Sequence, residues 1–259
     1  MEVIVFENSE SGSLHAAQVI ANQILMNNSI NEDTILGLAT GSTPIDMYKE
    51  LIEINKKGVS FSRVITYNLD EYYPMKKSSS HSYHSYMYDN FFRHVDIHEE
   101  NIFIPDGELK EEDVSEFCEE YELSIKKNNG IDIQVLGLGL NGHIGFNEPG
   151  FSKNSLTQKV TLSETTRNAA TKYFKTKEEV PKHAISMGIR TILDADQIIL
   201  MAWGKKKAEI VKECIEGSVR ESVPGTFLQK HKNVTLILDA ESASKLDRSK
   251  ITFLETKLS

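Results

Sequence analysis

The sequence predicts one α/β domain, a Rossmann-like three-layer unit with a largely parallel sheet and a helical flap over its site. Three observations carry that reading. Short β-branched runs alternate with longer amphipathic segments, the pattern of strands fed by crossover helices. Residues 131–138 form a near-continuous apolar run, as a central strand covered on both faces requires. Polar, glycine-bearing motifs follow the runs that end at Ala39, Asn68, Leu138 and Trp203. Ligands of open parallel sheets bind beyond the carboxyl ends of strands, so these four loops should converge on one crevice.

Taken in order, residues 3–6 read as a strand and residues 11–26 as a helix with a stripe of Leu14, Val19, Ile20, Ile24 and Leu25. A strand over 34–39 leads through Thr40-Gly41-Ser42-Thr43 to a helix opened by Pro44 at its favoured first position. Strand 63–68, helix 82–92, helix 114–127 and strand 131–138 follow. Residues 163–174 read as a mostly polar helix with a weak apolar stripe, hence a surface flap. Strand 197–203, helix 206–216 and strand 234–238 complete the set. No linker-like run of Gly, Ser or Pro interrupts the pattern, so residues 1–259 are expected to form a single domain.

The formal net charge of −9 argues against nucleic acid as a partner, because backbone binding needs a cationic face. A local pocket on an acidic protein can still be positive, so a small anionic substrate remains open. No run of about 18 apolar residues occurs, which predicts no membrane span. The start Met1-Glu2-Val3-Ile4-Val5-Phe6 does not have the basic and apolar pattern of a signal peptide. The two cysteines, Cys118 and Cys214, have no metal-ligand spacing and read as reduced thiols of a cytoplasmic protein.

Four motifs carry chemistry. In Thr40-Gly41-Ser42-Thr43-Pro44, a glycine permits tight approach, two hydroxyls can donate, and a helix N-terminus offers unpaired N–H groups to an anion. An ordinary strand–helix turn capped by Thr43 is the competing reading. Lys205-Lys206-Lys207 sets positive charge against a helix dipole, a conflict that a bound anion would remove. At least one of these lysines is expected to be merely solvated. In Asn68-Leu69-Asp70-Glu71-Tyr72, a carboxylate at a strand end can act as a general base, but alternation lets only one of Asp70 and Glu71 face the crevice. The stretch Gly137-Leu138-Gly139-Leu140-Asn141-Gly142-His143-Ile144-Gly145-Phe146-Asn147-Glu148-Pro149 wraps one imidazole in a glycine-rich turn, with Asn141 and Glu148 as its orienting groups. No second His or Cys is spaced for zinc, and the continuation does not match a dinucleotide fingerprint.

Together these segments closely resemble the glucosamine-6-phosphate deaminase family, from Leu38-Ala39-Thr40 to Val223-Pro224-Gly225-Thr226-Phe227-Leu228-Gln229. The related 6-phosphogluconolactonases share the fold but not the Phe-Asn-Glu-Pro continuation. The resemblance implies that glucosamine 6-phosphate and water become fructose 6-phosphate and ammonia. His143 would open the sugar ring with Asn141 and Glu148, and Asp70 would carry the proton from C2 to C1. Gly41, Ser42, Thr43 and Lys207 match the family's phosphate-binding positions. The resemblance implies no organic cofactor and no metal. Family members commonly form homo-oligomers, and no interface is legible here.

Three positions depart from the family pattern. Asn141 stands where many members carry Asp. Lys172 stands where many carry a phosphate-binding Arg, and Lys172, Arg167 and Arg190 all stay open as the replacement. Ser155-Leu156-Thr157-Gln158 lacks an effector-binding Arg, so allosteric activation is not carried over. A galactosamine-6-phosphate deaminase shares the Asn-Gly-His pattern, although the Asn68–Tyr72 and Phe146-Asn147 wording favours the glucosamine enzyme. A silent sugar-phosphate sensor is the alternative of another class. The chain opens on the first strand rather than on a helix-turn-helix segment, and it keeps Asp70, His143 and Glu148, both of which favour an enzyme.

Overall fold

The computed structural model describes residues 1–247 and Ser249. In chain order the elements are β1 (Glu2–Phe6), α1 (Ser9–Ser29), β2 (Thr34–Leu38), α2 (Ile45–Lys56), β3 (Val64–Asn68) and β4 (Asp70–Tyr73). There follow α3 (Tyr83–Asn90), β5 (Ile102–Phe103), α4 (Val114–Lys127), β6 (Ile133–Gly137), β7 (Gln158–Thr161) and α5 (Glu164–Ala170). The last are β8 (His183–Ser186), α6 (Ile189–Leu193), β9 (Gln197–Ala202), α7 (Ala208–Glu216) and β10 (Val234–Asp239).

Seven strands form one sheet in the order β1-β10-β9-β6-β2-β3-β5, with every pairing parallel. The residues of β2, β3 and β10 are buried throughout, as strands covered on both faces by helices must be. β2 and β6 are neighbours, yet the chain leaves β2 toward β3 on one side and reaches β9 on the other side of β6. That reversal opens a crevice above the carboxyl ends of β2 and β6, and the Thr40 turn and the glycine-rich turn both sit there.

The predicted stripe of α1 is corrected. Its buried side chains include Ala16, Ala17, Ile20, Ala21 and Ile24, whereas Leu25 is exposed. Small alanines let this helix approach closely, and a stripe weighted toward large residues overlooks them. Pro44 occupies the cap position of α2 rather than its first turn, and makes no side-chain cap. Residues 163–174 divide into α5 and a 3-10 turn, Thr171–Tyr173, and the three lysines form a 3-10 turn, Lys205–Lys207, ahead of α7.

A second sheet, β4-β8-β7, is antiparallel and had no counterpart in the sequence reading. Its joint to the main sheet is Leu69. The Leu69 N–H donates to Leu38 O at 2.9 Å, closing the parallel ladder, while Leu69 O accepts from Met187 N at 2.7 Å, opening the antiparallel one. Tyr72 packs with Phe146, Val160, Leu162 and Ala184 in a small core between this sheet and the glycine-rich turn. No helix among the described residues is long and apolar enough to cross a membrane. Both cysteines are buried and unpaired.

Candidate active site

A cleft of 470 Å³ is lined by the Thr40–Thr43 turn, Asp70, Tyr72, Tyr83, the segment 137–146 and the flap residues 165–173, and it is closed by Trp203, Lys206 and Lys207. Its walls come from the loops after β2, β6 and β9 and from β4, which follows β3 directly through Leu69, so the four predicted segments converge although one of them is a strand and not a loop. A larger hollow of 920 Å³ lies along α4 and α6 and holds none of these groups.

Two carbonyls of the turn after β2 are held by aromatic side chains. Tyr86 Oη donates to Gly41 O at 2.6 Å, and Trp203 Nε1 donates to Thr43 O at 3.0 Å. Across a trans peptide the next N–H points away from the carbonyl, so the Ser42 N–H is directed away from Tyr86. Among the described residues the N–H groups of Gly41, Ser42 and Thr43 have no hydrogen-bond partner. Gly41 sits at φ +91°, a conformation that side-chain-bearing residues rarely adopt.

Two ammonium groups line the same cleft. Lys207 Nζ donates to Leu138 O, and Lys172 Nζ lies over the Tyr173 ring at 4.6 Å. Burial lowers the Lys207 pKa, and the charge of Lys172 lowers it further. Two cations beside unpaired N–H groups form a locus of positive potential that an anion stabilises. Of the three residues left open, Lys172 is the one on the cleft. Arg167 turns inward to donate to Lys177 O and Val180 O at 3.3 and 3.1 Å, and Arg190 lines the larger hollow beside Asp194. Lys205 is exposed and lies outside the cleft lining, the solvated lysine expected of that run.

Asp70 and Glu71 face opposite ways, as strand alternation requires. Glu71 accepts from the N–H groups of Tyr72, Tyr83 and His84 at 2.8, 2.9 and 2.8 Å, anchoring the start of α3. Asp70 is the carboxylate on the cleft, only 6% exposed. Burial, with the neighbouring charge of Glu71, pushes its pKa up to about 8.

The imidazole is set by a relay. His143 Nδ1 lies 2.7 Å from Asn141 Oδ1, Asn141 Nδ2 donates to Glu148 Oε2 at 2.8 Å, and Nδ1 stands 3.8 Å from Glu148. An ionised carboxylate can only accept, so Asn141 must turn its NH₂ toward Glu148 and its oxygen toward His143. The ring proton is thereby assigned to Nδ1, which leaves a lone pair on Nε2. An ionised Asp at position 141 could not donate to Glu148, so the amide suits this geometry. Although burial works the other way, hydrogen bonds from Thr166 and Asn141 and the adjacent imidazole hold the Glu148 carboxyl below its usual pKa. Burial lowers the His143 pKa, against the raising effect of Glu148, and Lys207 lowers it further. Gly139 is required here, since a Cβ would lie 2.3 Å from the His143 ring.

Sequence reasoning missed several contributors. Thr166 and the Ser163 N–H both donate to Glu148 Oε1 from the flap. Gly225 N donates to Gly142 O at 2.7 Å, so the 3-10 segment Pro224–Lys230 buttresses the imidazole turn. Tyr83 and Trp203 line the cleft. The aromatic identity of Trp203 at a strand end was the one visible signal. Thr166 had none, because its partner is 18 residues away across a chain reversal.

Residues 7–237 match the family model described as glucosamine-6-phosphate isomerases/6-phosphogluconolactonase. Among curated proteins, a glucosamine-6-phosphate deaminase of Thermoanaerobacter sp. (strain X514) is 49% identical over 245 residues, which is 94% of each chain. One from Clostridium botulinum (strain Loch Maree / Type A3) is 47% identical over 248 residues, 95% of this chain and 99% of that one. Among solved structures, a monomeric glucosamine-6-phosphate deaminase of the NagB superfamily superposes with TM-score 0.91 at 42% identity, covering 95% of this chain and all 100% of its own. The 6-phosphogluconolactonase of Trypanosoma brucei shares the fold, with TM-score 0.78 at 20% identity.

Proposed function

The chain belongs to the family of glucosamine-6-phosphate isomerases and 6-phosphogluconolactonases, and from that membership we propose that it converts glucosamine 6-phosphate and water to fructose 6-phosphate and ammonia. The observation that carries the reading is the cleft itself. A buried carboxylate, an imidazole with its lone pair on Nε2, and a cationic turn for a phosphate face one space.

In this reading the phosphate sits on the N–H groups of Gly41, Ser42 and Thr43 between Lys172 and Lys207, and holds the sugar in register for the chemistry. His143 Nε2 takes the proton of the anomeric hydroxyl and passes it to the ring oxygen, and the C1–O5 bond breaks to give the open aldehyde. Glu148, through Asn141, stabilises the imidazolium formed in between. Asp70 must be ionised to work, and the substrate's ammonium group beside it favours that form. Asp70 removes the C2 proton, the electron pair passes to the C1 aldehyde oxygen, and that oxygen takes a proton from the ammonium group to give an enolamine across C1 and C2. Asp70 then returns its proton to C1. Carbon 2 is then an iminium. Water adds there, the C–N bond breaks, and ammonia leaves a ketone at C2. The substrate's own aldehyde accepts the electron pair at C2, and its nitrogen gives a pair to form the iminium and takes it back when water adds, so these residues suffice for the sequence of steps.

All of these groups come from one chain, which supports a site that is complete in a single subunit. Action on a phosphorylated amino sugar by a protein with two buried free thiols supports a cytoplasmic setting. The test is ammonia and fructose 6-phosphate release from purified protein given glucosamine 6-phosphate, with galactosamine 6-phosphate alongside. Absence of turnover with the first, or faster turnover with the second, overturns the reading.

A further inference from the structure

The flap joins both ends of the cleft. Thr166, on α5, is buried and donates through its hydroxyl to Glu148 Oε1. Ser163 supports it twice. Its hydroxyl donates to Thr166 Oγ1 at 3.1 Å, and its N–H donates to the same Glu148 oxygen at 3.3 Å. The other oxygen, Oε2, is thereby left to Asn141. Six residues along, in the 3-10 turn that continues α5, Lys172 lines the cationic end of the cleft. Arg167 fastens this short segment to the loop that leads back to β8 through the carbonyls of Lys177 and Val180, so α5 and the turn are tied to one frame.

We propose that Thr166 is a positioning residue that ties the flap to Glu148, so that phosphate held by Lys172 also sets the His143–Asn141–Glu148 relay. The inference rests on the reaction proposed above. Its physical content is that a carboxylate with one oxygen held by two flap donors has a single orientation, and that orientation assigns the proton of His143 two hydrogen bonds away. Drawing Lys172 toward a phosphate pulls on the same segment that carries Thr166. Binding energy from the non-reacting end of the substrate is in this way used to order the ring-opening machinery.

The test compares wild type with Thr166→Val, which keeps the shape and removes the hydroxyl, and with Thr166→Ser, which keeps the hydroxyl. Loss of a hydrogen bond to a charged group predicts kcat about 10-fold lower in Thr166→Val with KM for glucosamine 6-phosphate within about threefold, and recovery in Thr166→Ser. NMR titration of the His143 ring reports the charge of Glu148 nearby, and its inflection should move to higher pH in Thr166→Val. Ser163→Ala, outside the buried core, should move the inflection the same way by less, and it serves if Thr166→Val does not fold. Thr166→Val and Lys172→Ala combined should lower kcat by less than the product of the single effects, because both break one link. A His143 titration coincident with wild type, failure of Thr166→Ser to recover, or multiplicative effects on kcat would each overturn the tie. If wild type releases no ammonia while the titration still shifts, the assigned reaction fails and the tie between Thr166 and Glu148 stands.

Discussion

Asp70→Asn should abolish turnover and, unlike most replacements of a buried residue, make the protein relatively more stable as pH rises. In the unfolded chain Asp70 ionises near 3.8, and in the folded protein near 8. Between pH 5 and 7 the folded state therefore holds one proton more than the unfolded state at this position. Stability falls with pH whenever the native state binds the extra proton, by about 1.4 kcal/mol per pH unit. Over those two units the wild type loses about 2–3 kcal/mol that the Asn variant, with nothing to titrate, keeps. Glu71 is also raised, to about 7, but it is present in both proteins and its contribution cancels in the comparison. Urea unfolding of the two proteins at pH 5, 6 and 7 gives the difference directly. A wild-type minus variant difference that stays flat across this range would mean that Asp70 is ionised when folded, and the burial argument would fail. The catalytic half has its own check. Exchange of the substrate's C2 hydrogen with deuterium in Asp70→Asn would remove Asp70 as the base.

His143→Gln should slow ring opening far more than later steps; wild-type rates on cyclic substrate in that variant would reduce His143 to a structural role. Lys207→Ala should weaken binding of the phosphorylated substrate about 10- to 100-fold, read as Kd by calorimetry, and an unchanged Kd would leave the phosphate to the turn and Lys172. Lys172→Ala should raise KM without altering the melting temperature, Lys172→Arg should be tolerated, and Arg167→Ala should act on flap order rather than on phosphate affinity. An effect on KM confined to Arg167→Ala contradicts the arrangement of the cleft. Wild-type kcat/KM should climb with pH as Asp70 ionises, passing half of its plateau near pH 8, whereas a plateau already reached by pH 6 would show an ionised free enzyme. Gly139→Ala brings a Cβ within 2.3 Å of the imidazole, so kcat should collapse while the circular dichroism spectrum stays native.

Local chemistry made much of this site legible. The turns after β2 and β6 and the lysines after β9 lie where a strand gives way to a loop, the carboxylate after β3 lies where one sheet gives way to another, and strand ends are readable from apolar runs. Alternation alone says that Asp70 and Glu71 differ but not which one faces the cleft; the family resemblance named Asp70, and it is Asp70 that lines the cleft. The second sheet escaped notice because its strands are four residues each and carry charged or polar side chains such as Asp70, Lys159 and His183. Periodicity needs a longer run. The rivalry of Lys172 with Arg167 likewise turns on where residues 177–180 return, a tertiary matter that helical angles alone leave open.

The relay from Glu148 to His143 behaves as a line of dipoles whose direction is written at one end. While the carboxylate is charged, every hydrogen along it points the same way, and the free lone pair appears at Nε2. A protonated Glu148 could donate to the amide oxygen of Asn141. The amide would then turn over, Nδ1 would become the acceptor, and the hydrogen would pass to Nε2. A single proton taken up at the buried end would so reverse the polarity presented to the sugar, exchanging base for acid without moving a backbone atom. In Asn141 the chain holds an amphoteric link that transmits a sign, a property that a carboxylate at that position would not have in its ionised state.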